Sequence, residues 1–280
     1  MPPRPRIGIT LGDPAGIGPE VVAKALASGK LSKQFDYEVL GDARTRRRAD
    51  AVDWVVQGAR RCLAGELDAL VTAPLSKQLL RDAGYRFAGH TELLAHLSGT
   101  KKFAMMLVGG PLRVALVTIH VPLARVPRLL SAAKILNVIE LSHQACRQFG
   151  IRRPKIGVAG LNPHAGEDGL LGGEERRLIA PAVRRAVRKG LDVTGPWPAD
   201  TLFHQAYHGR FDAVVAMYHD QGLAPLKMIA FDTGVNLTLG LPFVRTSPDH
   251  GTAFDIAGKG KARPDSMIAA INLAARLAGK

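Results

Sequence analysis

The chain has 280 residues, 46% hydrophobic and 22% charged, a composition that excludes a disordered or collagen-like chain. Lysine and arginine number 38 against 24 aspartates and glutamates, so the formal net charge is +14. Two cysteines, Cys62 and Cys146, do not make a disulfide framework and predict a reduced, cytoplasmic setting. The N-terminal segment lacks the apolar core of a signal peptide. The sequence has no run of about 18 apolar residues, so no membrane partner is expected.

Short apolar runs alternate with helical stretches along the chain. The predicted strands are Arg6–Leu11, Tyr37–Leu40, Ala69–Thr72, Phe103–Val108, Arg113–Val117, Lys155–Ala159, Ala213–Ala216 and Leu226–Phe231. The predicted helices are Pro19–Ala27, Ala51–Ala64, Ser76–Ala83, Thr91–Ser98, Ala132–Phe149, Glu174–Lys189 and Met267–Ala278. This alternation predicts an α/β fold with a largely parallel sheet. The loop GDPAGIGPE after the first strand either binds an anion or forms a tight structural turn, since its spacing matches no standard phosphate motif.

Three histidines follow three of the predicted strands. His120 ends the run RVALVTI, His164 the run KIGVAGLNP and His219 the run DAVVAMY. Ligands of open parallel sheets bind beyond the carboxyl ends of the strands, so these imidazoles are expected at one edge. One such histidine alone is most simply structural, but three together predict a divalent-metal site with an open position for a substrate oxygen. Zinc suits three imidazoles, and cobalt, manganese and magnesium are alternatives.

Two carboxylates and a helix start add candidates. Asp220 directly follows His219, and Asp200 lies in GPWPADTLF; each is a candidate base or a partner that orients a histidine. The segment GHTE opens a helix, with Thr91 as the expected N-cap and His90 as a loop residue or an anion contact.

Three further polar residues lie in apolar or glycine-rich surroundings. Lys227 interrupts the apolar run GLAPLKMIAF, where a bare buried ammonium is costly, so it is expected to be paired or functional. Asn236 and Arg245 lie in GVNLTLGLPFVRTS. Arginine has the shape to clamp a carboxylate or phosphate, and the alternative is an ordinary surface arginine.

A string of motifs gives a family resemblance over nearly the whole chain. Residues 247–264, SPDHGTAFDIAGKGKARP, resemble the adenosine-binding segment of isopropylmalate and isocitrate dehydrogenases, and GDPAGIGPEVV resembles their N-terminal GDGIGPEV. Together with VTAPLSK, GHTE, LNPHAGE, PADTLF and YHDQGLAPLK, they make the chain similar to the 4-hydroxythreonine-4-phosphate dehydrogenase family of pyridoxal phosphate synthesis. The resemblance implies a two-domain isopropylmalate dehydrogenase-like fold with mostly parallel sheets and an interdomain cleft. It predicts a first, cofactor-side domain (1-88 plus 228-280) and a second domain (89-227) with the metal histidines and a dimer interface.

The resemblance also implies site residues. The family's metal ligands fall on His120, His164 and His219. Its substrate-binding residues fall on His90, Thr91, Lys227, Asn236 and Arg245. The adenosine end of NAD or NADP is expected near His250, Gly251, Thr252, Ala253 and Asp255. The family is homodimeric, and its metal and substrate site is completed across the subunit interface.

The implied reaction is a metal-dependent oxidation. The C3 hydroxyl of 4-phosphooxy-L-threonine passes a hydride to NAD(P)⁺, and decarboxylation then gives 3-amino-2-oxopropyl phosphate. A divalent metal would polarise the C3 oxygen. Lys227, Asp220 and Asp200 are the candidate catalytic residues, and the sequence does not decide among them.

The chain departs from the family between its first strands. YEVLGDARTRRRAD leads almost directly to WVVQGARR, where typical members carry a few dozen more residues, and Arg263 stands where an acidic residue is common. The shortened segment keeps alternatives open, namely the same chemistry on 4-phospho-D-threonate, 4-phospho-D-erythronate or a dihydrodiol carboxylate. A basic nucleic-acid-binding module is a distant alternative. It is disfavoured, and no nucleic-acid partner is expected, because the basic residues are mostly dispersed and aromatic residues make up only 5%.

Overall fold

The structure is a computed structural model that describes residues 4–45, 47–87 and 89–279. Its strands are β1 (Arg6–Thr10), β2 (Asp36–Leu40), β3 (Ala69–Thr72), β4 (Ala104–Gly109), β5 (Leu112–Leu116), β6 (Lys155–Ala159), β7 (Asp192–Trp197), β8 (Ala213–Ala216), β9 (Val235–Leu239) and β10 (Val244–Pro248). Its α-helices are α1 (Gly18–Ala27), α2 (Asp50–Leu63), α3 (Lys77–Asp82), α4 (His90–Leu97), α5 (Val126–Leu129), α6 (Ala132–Gln148), α7 (Ala180–Arg188), α8 (Ala199–Tyr207), α9 (His219–Ala230) and α10 (Asp265–Ala278). The predicted α/β class is confirmed. Within the described ranges, no helix is both long and apolar enough to cross a bilayer.

The chain divides into two compact units, Met1–Lys101 with Asp232–Lys280, and Lys102–Phe231. The expected domain boundaries were 88/89 and 227/228. The whole of α4, with two of the predicted substrate-binding residues, therefore belongs to the first unit and not to the second.

The first unit contains strands in the order β2-β1-β3-β10-β9. Strands β2, β1, β3 and β10 are mutually parallel, and β9 runs antiparallel to β10. The loops after β1, β3 and β10 therefore leave from one edge. Helix α2 packs its apolar face on these strands through the buried side chains Val52, Val55, Val56 and Ala59, which share a core with Leu40 and Leu70. The first unit thus holds its strand ends on a rigid, fully apolar core.

The second unit contains strands in the order β4-β5-β8-β6-β7. Strands β4 and β5 are antiparallel, and β5, β8, β6 and β7 are parallel neighbours. The three strands that precede the predicted metal histidines, β5, β8 and β6, are therefore adjacent, with their carboxyl ends on one side. Their core includes Val114, Val214, Leu202 and Phe211.

The structure corrects several predicted elements. Leu226–Phe231 is not a strand: residues 226–230 belong to α9, whose buried positions Gly222, Leu223, Leu226 and Ala230 follow helical spacing. Pro225 inside that helix hid the helical pattern from the sequence. Strands β7, β9 and β10 and helices α5, α8 and α9 were not predicted; β9 and β10 carry polar residues, and β7 contains Gly195 and Pro196.

Candidate active site

A buried arginine forms the centre of a polar site in the first unit. Arg245, on β10, is 2% exposed, which overturns the alternative of a surface arginine. Its Nε and Nη2 donate to Thr72 Oγ1 at 3.2 and 2.6 Å, and its Nη1 donates to Thr238 Oγ1 at 3.0 Å. These acceptors are neutral hydroxyls at the end of β3 and on β9. The guanidinium is therefore held in one orientation without being neutralised by its hydrogen-bond partners.

The buried positive charge at this place is energetically unfavourable. Burial lowers the pKa of Arg245 to about 10, and the negative charge of Glu92 on α4 opposes this effect. A buried arginine that remains protonated is stabilised by an anion that binds next to it.

Two side chains of the same unit carry polar atoms that are shielded from solvent and lack a hydrogen-bond partner among the described residues: Nε2 of His90 and Oδ1 of Asn236. Burial, together with the nearby charge of Arg245, lowers the pKa of His90 to about 3, so the imidazole is neutral at pH 7. His90 is the first residue of α4, where free backbone N–H groups and the helix dipole favour an anion. The first unit therefore contains a buried guanidinium, a neutral imidazole with an unsatisfied nitrogen and an amide with an unsatisfied acceptor oxygen, groups that can contact a polar ligand.

Thr91 has a different local role from the one expected. The predicted N-cap is wrong, because α4 begins at His90 after Gly89 and no side chain caps it. Thr91 is instead buried, with its Oγ1 3.4 Å from Thr238 Oγ1. It thus adjoins the hydroxyl that accepts from Arg245, which places it in the same polar cluster. Thr72 and Thr238 were missed because a threonine in a strand is the ordinary β-branched residue there.

Two of the predicted metal ligands meet in the second unit. The imidazole rings of His120 and His219 have centroids 5.4 Å apart. His219 Nδ1 lies 2.7 Å from Asp220 Oδ1. A carboxylate on one ring nitrogen fixes the imidazole tautomer and leaves Nε2 available as a ligand. The donor types and the spacing of this pair fit two ligands of one transition-metal ion.

His164 lies in an unusual turn beyond β6. Residues His164–Asp168 all have φ between 44° and 83°, a left-handed turn in which only Gly166 is free of the Cβ penalty. The buried carboxylate of Glu175 holds the start of this turn, since Oε1 accepts from the backbone N–H groups of Leu161 and Asn162 at 2.8 and 2.7 Å. The His164 side chain is 66% exposed. Local strain supported by a buried carboxylate is typical of functional loops.

No three histidine, cysteine, aspartate or glutamate side chains converge as a metal cage within residues 4–45, 47–87 and 89–279 of one chain. The structure thus brings His120 and His219 together and does not add His164 to them.

Hydrogen bonds join the three strand ends that carry the histidines. Thr118 Oγ1 donates to Met217 O at 2.7 Å, which ties the end of β5 to the end of β8. Gln221 Oε1 accepts from Met217 N–H and Gln221 Nε2 donates to Gly160 O, both at 2.6 Å, which ties β8 to the end of β6. Sequence reasoning missed Gln221, Thr118 and Glu175, because their partners are distant in sequence or main-chain groups.

The remaining catalytic candidates lie on helices of the second unit. Asp200 is in the first turn of α8, exposed, with Oδ1 accepting from the Thr201 N–H at 3.0 Å. Lys227 lies on α9 with its Nζ 5.8 Å from the ring centroid of Phe231, on a partly exposed face of the helix.

The predicted cofactor segment, His250 to Asp255, follows β10 in the first unit. Nε2 of His250 is shielded from solvent and has no hydrogen-bond partner within the described ranges. Thr252 O accepts from Ile17 N–H at 2.9 Å, and Ala253 has φ 41°. Gly251 and Asp255 are exposed, so the segment offers open backbone and one unsatisfied imidazole nitrogen, features that fit a ligand with hydroxyl and amide groups.

The fold is α/β, the buried guanidinium has no carboxylate among its hydrogen-bond partners, and two imidazoles lie side by side. These are features of an enzyme that acts on a small anionic substrate. The chain belongs to the PdxA family: the family model described as pyridoxal phosphate biosynthetic protein PdxA matches residues 20–274. The family resemblance stated from the sequence is thereby confirmed, and with it an enzyme of the oxidoreductase class.

Two relatives show the range of names within this similarity. A 4-hydroxythreonine-4-phosphate dehydrogenase of Geobacter metallireducens is 45% identical, over 98% of this chain and 96% of the relative. A D-threonate 4-phosphate dehydrogenase of Pectobacterium atrosepticum is 43% identical, over 97% of this chain and 99% of the relative. The first alignment spans 325 positions against the 280 residues of this chain, so that relative carries residues that this chain lacks.

Solved structures agree with the fold. The crystal structure of 4-hydroxythreonine-4-phosphate dehydrogenase from Klebsiella pneumoniae matches with a TM-score of 0.87 at 41% identity, covering 98% of this chain and 99% of that one. Isocitrate dehydrogenase from Methylococcus capsulatus matches with a TM-score of 0.56 at 16% identity, covering 97% and 88%. That second likeness shows the shared fold alone and confirms the predicted relation to the decarboxylating dehydrogenases at the level of fold.

Proposed function

We propose that the protein is a metal-dependent NAD(P) dehydrogenase that oxidises the C3 hydroxyl of 4-phosphooxy-L-threonine, with decarboxylation to 3-amino-2-oxopropyl phosphate, in pyridoxal 5′-phosphate synthesis. The observation that carries the proposal is the buried Arg245 guanidinium, whose hydrogen-bond partners are hydroxyls and not carboxylates. Such a group is stabilised by a strongly anionic ligand, and a phosphate monoester is the anion common to the proposed substrates.

In the first unit, the proposed role is to bind and orient the substrate. Arg245 donates to the phosphate, and His90 in its neutral Nε2–H form donates a further hydrogen bond. The Oδ1 atom of Asn236 accepts from a donor group of the substrate. Thr91 and the other threonine hydroxyls keep the guanidinium in place, so little reorganisation accompanies binding.

In the second unit, the proposed role is to bind the metal and to accept the proton of the C3 hydroxyl. When bound, a divalent cation supplies Lewis-acid polarisation of the C3 oxygen, and a nicotinamide accepts the hydride. His120 and His219 are the proposed ligands from one chain, and Asp220 orients His219. Asp220 is thereby engaged, so we assign the C3 hydroxyl proton to Asp200 and a substrate contact to Lys227.

His164 and a homodimer complete this proposal. His164 is exposed and does not join the other two histidines within one chain, so we propose that a second copy of the chain completes the ligand set at a subunit interface. Large apolar side chains are exposed close to these residues in sequence: Leu123, Leu170 and Met228 are 65%, 82% and 84% exposed. Exposed apolar side chains of this size favour burial against a partner.

The cofactor is proposed to be NAD or NADP, with its adenosine end at His250–Asp255. The proposed metal is zinc, with magnesium, cobalt or manganese as alternatives in turnover. A cytoplasmic location is proposed from the unpaired, buried thiols of Cys62 and Cys146, whose pKa values burial raises to about 12.

The test is NAD(P)⁺ reduction by the metal-loaded protein with 4-phosphooxy-L-threonine, 4-phospho-D-threonate, 4-phospho-D-erythronate and a dihydrodiol carboxylate in parallel. Turnover of the amino acid, abolished by a chelator and restored by added metal, is the expected result. Absence of turnover with every phosphorylated acid contradicts the proposal.

A second candidate keeps the chemistry and changes the substrate to 4-phospho-D-threonate or 4-phospho-D-erythronate. It is favoured by the D-threonate 4-phosphate dehydrogenase relative, which is nearly as similar to this chain as the first. Turnover of only the deaminated acids in the same assay establishes this second candidate.

A further inference from the structure

Arg48 lies in the nine-residue connection between β2 and α2, where the chain is shorter than its family is expected to be. Its guanidinium forms a two-point ion pair with Asp13, Nε to Oδ1 at 3.0 Å and Nη2 to Oδ2 at 2.7 Å. Asp13 is fully buried in the loop after β1, and its Oδ1 also accepts from the Ala15 N–H at 3.1 Å. Arg48 thus supplies the positive charge that this buried carboxylate requires.

The same guanidinium reaches the predicted cofactor segment. Arg48 Cζ lies 5.6 Å from the ring centroid of Phe254, within the range of a cation–π contact. Phe254 is 49% exposed, so its ring is covered only in part and stays open to a ligand.

The loop after β1 also touches this segment directly. Ile17 N–H donates to Thr252 O at 2.9 Å, and a Cβ atom built on Gly16 would lie 2.8 Å from the same oxygen. The close approach needs glycine at that position. Three segments distant in sequence therefore meet: the loop with Asp13, the connection with Arg48 and the segment with Phe254.

We propose that Arg48 is a positioning residue for dinucleotide binding, which fixes the His250–Asp255 segment against the loop that follows β1. The inference rests on the proposed function, in that this segment holds the adenosine end of NAD or NADP. The planar guanidinium can pair with a carboxylate through its edge and contact an aromatic ring through its face, whereas an ammonium cannot do both. Because Arg48 acts on the segment and not on the dinucleotide, NAD⁺ and NADP⁺ depend on it equally.

The experiment compares wild type with Arg48→Met, Arg48→Lys and the control Arg47→Met. Arg47 is the neighbouring residue, with an 85% exposed side chain and a 3.6 Å contact to Asp50. Arg47→Met therefore removes the same charge without removing the contacts of Arg48 with Asp13 and Phe254. Calorimetric titration gives the Kd for NAD⁺ and NADP⁺, and steady-state assays give kcat and the KM of the phosphorylated substrate.

We expect Arg48→Met to raise the Kd of both dinucleotides about tenfold, while kcat at saturating dinucleotide and the substrate KM stay within about twofold. Arg48→Lys should give an intermediate Kd, and Arg47→Met should match wild type. Unchanged Kd values in Arg48→Met, or a loss confined to NADP⁺, overturn the inference; the second result would mean direct contact with the 2′-phosphate.

A double variant separates positioning from misfolding. Asp13→Asn with Arg48→Met removes both charges, so no carboxylate is left buried and unpaired. Weak dinucleotide binding by this variant, with a thermal midpoint near that of wild type, supports positioning, and wild-type binding overturns it. If wild type reduces neither dinucleotide and binds neither, the proposed function is wrong and this inference with it; binding by wild type and by Arg48→Met alike overturns this inference alone.

Discussion

Arg245→Met removes the buried charge at the centre of the first unit's polar site while keeping an unbranched side chain of similar length. The free energy of unfolding and the activity should respond differently, because the guanidinium is costly to the fold and needed for the anion. A pKa of about 10 in place of 12.5 corresponds to a penalty on the charged form on the order of 3 kcal/mol, which the variant relieves.

The variant also loses stabilising contacts. The hydroxyls of Thr72 and Thr238 lose their donor, and a buried hydroxyl left unpaired costs about 1–3 kcal/mol. The two effects oppose each other at similar size. We therefore expect the free energy of unfolding to change by less than about 3 kcal/mol, in either direction.

The effect on function has no such compensation. Removing one partner of a buried, hydrogen-bonded charge pair costs about 2–5 kcal/mol, so kcat/KM for the phosphorylated substrate should fall by a factor between about 30 and about 5,000. Urea unfolding followed by circular dichroism measures the first quantity, and initial rates measure the second. Inorganic phosphate should raise the thermal midpoint of wild type and not of Arg245→Met.

Arg61→Met is the matched control in the same unit. Arg61 pairs with Glu38 and Glu66 and contacts none of the site residues named above. It should lower the free energy of unfolding by about 1 kcal/mol or less and leave kcat/KM unchanged. Destabilisation of more than about 5 kcal/mol by Arg245→Met, or normal kcat/KM in that variant, would show instead that Arg245 has a structural role and does not bind the substrate.

Two further predictions concern single side chains of the two units. The pKa of His90 is held at about 3, so below pH 6.5 the unfolded chain takes up a proton that the native imidazole refuses, and stability falls with acidification. Relative to His90→Gln, wild type should lose up to about 1.4 kcal/mol per pH unit between pH 6.5 and 4 in urea unfolding; parallel profiles contradict this. Glu175→Leu removes the acceptor for the backbone N–H groups of Leu161 and Asn162 and should release the strained turn at His164–Asp168. Cobalt titration should show about tenfold weaker binding with unchanged phosphate binding, and equal cobalt affinity would count against the role of Glu175.

The fold was predictable wherever a strand is an uninterrupted apolar run. Strands β1, β3, β6 and β8 are buried on both faces, and parallel sheets covered by helices produce that pattern in sequence. Two of the three strands that escaped prediction carry polar residues of the candidate site: β9 holds Asn236 and β10 holds Arg245. A local pattern could not identify these two strands, because a polar residue stands where an apolar residue would have marked the strand.

The sequence suggested candidate site residues but not their geometry. The histidines could be found because the end of a parallel strand is a topological position that an apolar run marks in sequence. The burial of Arg245 could not be found, since its hydroxyl partner Thr72 lies 173 residues away and no local spacing joins them. Glu175 and Gln221 act on main-chain groups, which leave no trace in side-chain patterns.

The two units differ in how complete their polar sites are within one chain, and this difference bears on the order of assembly. The first unit holds Arg245 between two hydroxyls, so the guanidinium of the proposed anion site is already oriented before any ligand binds. The second unit brings His120 and His219 together, and its described residues lack a third ligand, while His164 is displayed on a strained, exposed turn. Strain of this kind persists only where the surrounding structure compensates for it, and in the proposed homodimer binding to a second chain supplies that compensation. Under the proposed function, the phosphate site is therefore a property of the single chain, and the metal site is a property of the dimer.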